Sequence, residues 1–265
     1  MTKVTTKKKL AVLGNGFLAG IIVEAYNKGL LEEYELTGIL GRTKEKTEAL
    51  AEKGGCRPCS TLEELLEDKP DYVAEAASVK AVQDHGMKIL SGGADMILLS
   101  IGALADETFY RKISECAKEN GRKIHIASGA IGGFDVLRTI SLMGQAQTSF
   151  RTQKGPKSLS GTPLFEESLM TDREEKQVFH GSAKEAISIL PTKVNVAIAA
   201  SLASSGPENV DMSIFSVPEM VGDDHKIIAQ IPGVKAELDI YSSTSAIAGW
   251  SVVAVLKNLV SSVVF

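Results

Sequence analysis

The sequence has few cysteines, no long apolar run and no excess of positive charge. Its three cysteines are odd in number and too few for a secreted disulfide framework, so they fit a reducing cytoplasm. No window reaches the ~18 apolar residues of a membrane span. The 29 basic residues are outnumbered by 33 acidic ones, so the chain offers no basic surface to nucleic acid or to an anionic membrane. We therefore expect a cytoplasmic protein that acts on small molecules.

The composition is that of an ordinary folded chain, and its first half alternates two kinds of segment. With 265 residues, 44% of them hydrophobic, the chain is long enough for one large or two small domains. From Lys9 to about Ser128, short apolar runs alternate with helical periodicity, which is typical of βαβ units. We predict an α/β fold in which residues 1–128 form a Rossmann-type, doubly wound parallel sheet that binds a dinucleotide.

The pattern changes beyond Gly129. Strand-like segments such as HKIIAQI and AELDIYS are separated by polar loops and by two apolar helical stretches. This pattern favours a second α+β domain over residues 129–240, with an antiparallel sheet and with a mobile loop over residues 157–176. Residues 241–265 contain a hydrophobic helix that is too apolar to stand alone. It should pack back on the first domain or on a partner chain, which leaves a homodimer open.

A glycine-rich turn follows the first predicted strand and opens the first predicted helix. It reads Gly14-Asn15-Gly16-Phe17-Leu18-Ala19, which matches G-x-G-x-x-A. Gly14 permits a tight turn, Gly16 lets the backbone approach a pyrophosphate, and the small Ala19 allows close packing of helix on strand. The alternative is a plain strand-to-helix turn. The predicted cofactor-binding residues of this region are Gly14, Asn15, Gly16, Phe17, Leu18 and, at the end of a later apolar run, Ala76.

The residues after the second predicted strand bear on the choice between NAD and NADP. An NAD site usually carries Asp or Glu there to bind the ribose 2′-hydroxyl, but this chain reads Gly41-Arg42-Thr43-Lys44. Arg42, with Thr43 behind it, is suited to neutralise a 2′-phosphate. The alternative is that Arg42 stacks on the adenine of either cofactor. We therefore predict NAD or NADP, with NADP slightly favoured.

The cysteines do not indicate a metal or redox site. Cys56 and Cys59 form a CxxC, but no second pair exists for zinc, and the pair is predicted to lie in a loop before a short helix. Cys116 lies in a helical segment, where a packed thiol is expected rather than a nucleophile. We predict no metal.

Four histidines are the candidates for proton transfer near neutral pH. His85 and His125 lie in a predicted helix and strand and are expected to be structural, and His180 is ambiguous. His225 follows two aspartates, whose charge we expect to raise its pKa and favour the imidazolium form.

Four separated motifs resemble the L-aspartate dehydrogenase family and occur in the order found there. They are SIGALAD at 100–106, SGAIGGFDVL at 128–137, HGSAKEA at 180–186 and PTKVNVAIAASLA at 191–203. The resemblance spans nearly the whole chain. It implies a Rossmann domain followed by an α+β domain, and NAD(P)-dependent interconversion of L-aspartate with iminosuccinate, or with oxaloacetate plus ammonia. It also implies a role in supplying iminosuccinate to NAD biosynthesis.

The resemblance assigns roles to residues of this chain. Ala130 and Asn195 fall on positions implied to touch the cofactor, and His225 falls on the catalytic histidine of the family. The two carboxylates of a dicarboxylic amino or imino acid need cations or convergent N–H groups. Lys154 and the loop that begins with Ser128 and Gly129 are the nearest candidates for substrate binding.

The sequence departs from the family pattern at positions that concern the substrate. The pattern T-x-K-P-P becomes TQKGP at 152–156, a glutamate is replaced by His180, and an N-P-K-T-S-like stretch becomes SSTS at 242–245. Two alternatives to an aspartate dehydrogenase therefore stay open. One is a related NAD(P)H-dependent reductase of another imino or oxo acid, and the other is a non-catalytic regulatory protein that binds NADP(H).

Overall fold

The computed structural model describes residues 6–190 and 195–265. It divides into two compact units, which are Met1–Ala127 with Ala246–Phe265, and Ser128–Ser245.

The first unit is built on a parallel sheet that has six strands within the described residues. Its strands are β1 (Lys8–Leu13), β2 (Tyr34–Leu40), β3 (Arg57–Cys59), β4 (Tyr72–Glu75), β5 (Asp95–Leu98) and β6 (Ile124–Ile126). Its helices before the second unit are α1 (Phe17–Asn27), α2 (Lys44–Gly54), α3 (Leu62–Glu67), α4 (Val79–Ser91) and α5 (Glu107–Glu119), with a 3₁₀ turn at Ile101–Ala105. The strand order β3-β2-β1-β4-β5-β6 is that of a Rossmann sheet, so the predicted fold class is confirmed.

The edge strand β3 corrects one expectation. Arg57–Cys59, predicted as a loop, pairs with β2 in parallel, with Gly38 opposite Arg57. Proline is tolerated in such a strand because the outer side of an edge strand needs no ladder donor. The guanidinium of Arg57 also contacts Asp68, at 2.9 Å. The pairing with β2 joins residues 19 positions apart, such as Gly38 and Arg57, which local composition does not report.

The second unit is built on a mixed sheet. Its strands are β7 (Gln147–Lys154), β8 (Lys176–Ser182), β9 (Val210–Ser216), β10 (Asp223–Ile231) and β11 (Val234–Ser242), in the order β11-β10-β7-β9-β8. Its helices are α6 (Phe134–Met143), α7 (Pro156–Leu159), α8 (Ala183–Ile189) and α9 (Asn195–Ala203), with a 3₁₀ turn at Glu167–Met170. The sheet was expected to be antiparallel, but β7 and β9 run parallel while the other neighbours run antiparallel.

Residues 157–176, predicted as a mobile loop, contain helical turns and two buried leucines. The turns are those of α7 and the 3₁₀ turn, and the side chains of Leu159 and Leu169 are buried in the second unit. Two leucines spaced ten residues apart carry too weak a periodicity to indicate this burial among many polar neighbours.

The apolar C-terminal segment forms α10 (Ala246–Val260), which belongs to the first unit. Val252, Val253 and Leu256 lie in the same buried cluster as β1 and α1. The Tyr34 hydroxyl donates a 2.7 Å hydrogen bond to the Leu256 carbonyl. The segment is therefore apolar because it completes the core of the nucleotide-binding fold.

Candidate functional site

The turn between β1 and α1 allows almost no change at Gly14. This residue has a φ of +136°, and a Cβ added to it would come 2.4 Å from the carbonyl oxygen of Ala76, just beyond β4. β1 and β4 are the neighbouring strands at which the strand order reverses. In doubly wound sheets, ligands bind beyond the carboxyl ends of the strands at this reversal. Gly14 thus brings the backbone of both strand ends together at the position where doubly wound sheets bind ligands.

The N-terminus of α1 is suited to a pyrophosphate. Gly16 precedes the helix, no side chain caps it, and its first turn contains no acidic residue. A Cβ added to Gly16 would meet no atom within 4 Å, so the space above it is open. Backbone N–H groups and the helix dipole favour an anion at such a position. The residues present therefore fit NAD or NADP, with Phe17 and Leu18 beginning the helix.

The side-chain amide of Asn15 is hydrogen-bonded within the protein. Its Nδ2 donates to the Thr43 carbonyl at 2.8 Å and to Thr47 Oγ1 at 2.9 Å. The amide therefore ties the glycine loop to the turn after β2. Any contact of Asn15 with a cofactor would use its backbone or its side-chain oxygen.

A pocket of about 240 Å³ lies beyond the carboxyl end of β2. Its lining is formed by Gly41, Arg42, Lys44, Thr47, Glu48, Pro58, Cys59 and Ser60. The exposed Arg42 has no ion pair with any residue in the described ranges, whereas Lys44 lies 3.9 Å from Glu48. Thr43 precedes α2 without capping it through its side chain. The pocket thus has a cation available for an anionic ligand.

Glu75, the last residue of β4, is a buried carboxylate that the sequence analysis missed. It accepts hydrogen bonds from the backbone N–H groups of Ala77, Leu99 and Ser100 and from the Ser100 hydroxyl. Burial raises the pKa of Glu75, and these donors oppose that shift. The carboxylate joins the loops after β4 and β5. A glutamate inside the apolar run DYVAEAA was the only sequence signal for it.

In the second unit, His225 on β10 faces Thr152 on β7. The two residues are register partners, both are almost fully buried, and Thr152 Oγ1 lies 2.8 Å from His225 Nδ1. The ring of Phe150 meets the imidazole edge-on, with centroids 5.8 Å apart. The imidazole is therefore held on two sides by β7.

The prediction that His225 is an imidazolium ion is wrong. Burial, and then the positive charge of Lys154, lower its pKa to about 4, while Asp223 opposes this shift only partly. Lys154 holds the Asp223 carboxylate at 2.8 Å. Successive strand residues point to opposite faces, so Asp224 lies on the face away from His225. His225 is therefore uncharged at neutral pH.

A cavity of about 380 Å³ adjoins this pair, because Thr152 is part of its lining. Its polar lining is completed by Lys154, Asp223, Ser158 and Thr162, and its apolar lining is Leu159, Leu190, Val196, Met212 and Ile214. A small cavity with an ion pair and hydroxyl groups is suited to a polar, anionic small molecule. Lys154 would have to share its charge between Asp223 and such a ligand.

Two of the departures from the family pattern meet at one end of the second sheet. In the ladder, Asp223 lies opposite Lys154 on β7 and opposite Ser242 on β11. A Cβ on Gly155 would come 2.2 Å from the Met220 carbonyl oxygen, so the glycine that replaces a proline is required by local packing. The changes at 152–156 and 242–245 are thus spatially linked.

The remaining predicted residues lie elsewhere in the second unit. Ser128, Gly129 and Ala130 open the second unit, with Gly129 at a φ of +64°. Asn195 is the first residue of α9, and the preceding motif positions 191–194 lie outside the described residues. Their contacts with cofactor or substrate stay predictions.

The other cysteines and histidines have ordinary surroundings. Burial raises the pKa of Cys56 to about 11 and also raises that of Cys59, so neither thiol is activated. His125 contacts Asp95 at 3.2 Å, and the exposed His180 contacts Ser213 at 3.1 Å. Across residues 6–190 and 195–265, no cluster of His, Cys, Asp or Glu has metal-binding geometry. No helix in these ranges is long and apolar enough to cross a membrane.

Comparisons with known proteins match both units. A family model described as "Aspartate dehydrogenase, C-terminal" matches residues 135–259, and one described as "Homoserine dehydrogenase, NAD binding domain" matches residues 14–127. An L-aspartate dehydrogenase from Methanococcus maripaludis strain C6 is 36% identical over 260 residues, which cover 95% of this chain and 96% of that protein. An L-aspartate dehydrogenase from Methanosarcina barkeri is 32% identical over 96% of this chain and 98% of that protein.

The crystal structure of an aspartate dehydrogenase from Thermotoga maritima has a fold similar to that of this chain. The TM-score is 0.75 at 26% identity, over 97% of this chain and 99% of that chain.

The burial of neutral His225 predicts a pH dependence of stability. The pKa of His225 is about 4 in the folded protein and 6.5 when the side chain is not buried, as in the unfolded chain. Between these pH values the unfolded chain therefore binds more protons than the folded protein. Stability is therefore lost as the pH falls from 6.5 towards 4. At 1.36 kcal/mol per pKa unit, the loss from this one residue is about 3 kcal/mol.

The measurement is the free energy of unfolding in urea as a function of pH, for the wild type and for His225→Gln. The difference between the two curves isolates His225 from the titrating carboxylates. A difference that stays constant from pH 6.5 to 4 would contradict the buried, neutral state.

Proposed function

Since the chain belongs to the L-aspartate dehydrogenase family, we propose that it interconverts L-aspartate and iminosuccinate with NAD(P), the imine being in exchange with oxaloacetate and ammonia. The observation that carries this proposal is the buried His225, held by Thr152 beside a cavity that contains Lys154 and Asp223. Such a cavity is suited to a dicarboxylic amino or imino acid. The glycine turn at Gly14 supports the dinucleotide half of the proposal.

The proposed reaction needs residues that bind the cofactor, residues that bind the substrate and a residue that contacts its reacting end. Bound NAD(P) supplies the hydride acceptor for oxidation of the amine, or the hydride donor for reduction of the imine. Gly16 and the N-terminus of α1 bind the pyrophosphate, and Lys154 contributes positive charge to a substrate carboxylate. His225 would contact the substrate through Nε2, the ring nitrogen that Thr152 does not contact. Ser128, Gly129, Ala130 and Asn195 are kept as proposed binding residues.

We also propose a cytoplasmic location and a preference for NADP. Three free thiols fit a reducing compartment. The preference for NADP is supported by the available Arg42 in its pocket and by the lack of a carboxylate at the end of β2. A homodimer stays a prediction, and the exposed apolar residues 263–265 are compatible with it.

Removal of the His225 imidazole tests the proposed activity. In His225→Ala we expect kcat for aspartate-dependent formation of NAD(P)H to fall by about 100-fold, because one positioned donor or acid–base group contributes that much. The Kd for the dinucleotide should stay unchanged. Initial rates and calorimetric binding provide the two readouts.

His180→Asn is the matched control, since it removes an exposed imidazole on the opposite face of the same sheet. Its kcat should equal that of the wild type. Full turnover of aspartate by His225→Ala would remove the role assigned to this residue.

Arg42→Gln tests the cofactor preference. Loss of a charge-assisted hydrogen bond of about 1.5–3 kcal/mol should weaken binding of NADPH by at least about tenfold. Binding of NADH should change by less than about twofold, because NADH has no 2′-phosphate. Equal weakening of both cofactors would instead indicate adenine stacking by Arg42. Lys46→Gln, which removes an exposed charge of α2 outside the pocket lining, is the control in the same titration.

A further inference from the structure

The contact between Thr152 and His225 specifies more than the position of the ring. Thr152 Oγ1 lies 2.8 Å from His225 Nδ1, and both residues are at least 98% buried, with exposed fractions of 1% and 2%. A hydroxyl group can donate to a ring nitrogen that lacks a proton, or accept from one that carries it. The two arrangements place the single proton of the neutral imidazole on different nitrogens.

The hydrogen-bond partners of Thr152 distinguish these arrangements. Over the part of the chain that the structure describes, Nδ1 is the one partner of the Thr152 hydroxyl. If Nδ1 carried the proton, the hydroxyl would accept it and its own hydrogen would have no acceptor among the described residues. A buried donor left without an acceptor costs about 1–3 kcal/mol. If the hydroxyl donates to Nδ1, these two atoms satisfy each other, and the imidazole proton lies on Nε2, which is not one of the fully enclosed side-chain atoms without a partner.

We infer that Thr152 is a positioning residue that donates its hydroxyl proton to Nδ1 of His225 and so keeps the neutral imidazole in the Nε2–H form. His225 therefore presents a hydrogen-bond donor to the ligand, not a lone pair. The acceptor of this hydrogen bond is an oxygen atom of a small acid, either a carboxylate or a carbonyl oxygen. This role in turnover rests on the proposed function, whereas the tautomer itself does not.

The surroundings of the ring favour the neutral donor. The charged groups that act on it are Lys154 from β7 and Asp223 from its own strand, which are paired with each other at 2.8 Å. The register partner on β11 is Ile240, which is apolar, and the ring of Phe150 lies on β7. Burial together with Lys154 holds the pKa of His225 at about 4. A neutral imidazole can stabilise negative charge on a substrate oxygen by donation alone.

The test begins with the tautomer, which is measured without any turnover. Long-range ¹⁵N–¹H correlation spectra of histidine-labelled protein at pH 7 separate the Nε2–H and Nδ1–H forms, and His225→Gln identifies the signals among the four histidines. We expect His225 to be in the Nε2–H form in the wild type and in Thr152→Ser, which keeps the hydroxyl. In Thr152→Val, which has nearly the same shape, Nδ1 loses its hydrogen-bond donor, so we expect the ¹⁵N signal of this unprotonated nitrogen to move downfield.

Kinetics of the same variants test the consequence for the reaction. We expect kcat to fall by about tenfold or more in Thr152→Val and to be largely restored in Thr152→Ser. Succinate and oxaloacetate as ligands distinguish the acceptor, since only oxaloacetate has the ketone oxygen. A shift of the His225 signals by both acids indicates a carboxylate oxygen, and a shift by oxaloacetate alone indicates the carbonyl oxygen.

Two outcomes would overturn the inference. The first is an Nδ1–H signal for His225 in the wild type, and the second is a ¹⁵N signal of Nδ1 that is the same in Thr152→Val and in the wild type. Failure of the proposed function looks different, because the protein would then show the expected tautomer without turnover of aspartate.

Discussion

The close approach of Gly14 to the carbonyl oxygen of Ala76 is the contact on which the nucleotide site depends. Because a Cβ would come 2.4 Å from that oxygen, the ends of β1 and β4 can meet only around a glycine. Asn15 then ties the turn to the start of α2, and Glu75 ties the end of β4 to the loop after β5. These buried polar contacts hold the loops at the carboxyl edge of the sheet in one arrangement, which leaves the N-terminus of α1 open to an anion.

Burial governs the second unit in a comparable way. Transfer of His225 from water to an apolar environment disfavours its charged form, and the nearby Lys154 adds to that effect. Asp223 could oppose both, but its carboxylate is shared with Lys154. The result is a neutral imidazole whose orientation is set by a neighbouring strand. The same ion pair lies in the lining of a cavity, so a ligand bound there and His225 would respond to one set of charges.

The elements that the sequence predicted well are those with local causes. The glycine turn, the alternation of strands and helices and the apolar character of α10 each depend on neighbouring residues, and the predicted fold class and family resemblance are confirmed. The strand β3 was missed because its pairing with β2 joins distant residues. The charge of His225 was predicted wrongly because it depends first on burial and then on Lys154, 71 positions earlier, and only the ladder of β7 and β10 shows both. Glu75 was missed because the sequence does not show whether the last residue of a predicted strand is buried or exposed, and Glu75 is buried.

The most direct test of the account follows the hydride itself. Oxaloacetate, ammonium and NADPH deuterated at the transferable C4 position are incubated with the purified protein, and the products are separated and analysed by mass spectrometry. We predict L-aspartate that carries one deuterium at C2, formed only when ammonium is present. Deuterated malate in place of aspartate would contradict it and indicate a reductase of oxo acids. Bound NADPH without any deuterium transfer would contradict it in favour of a non-catalytic protein.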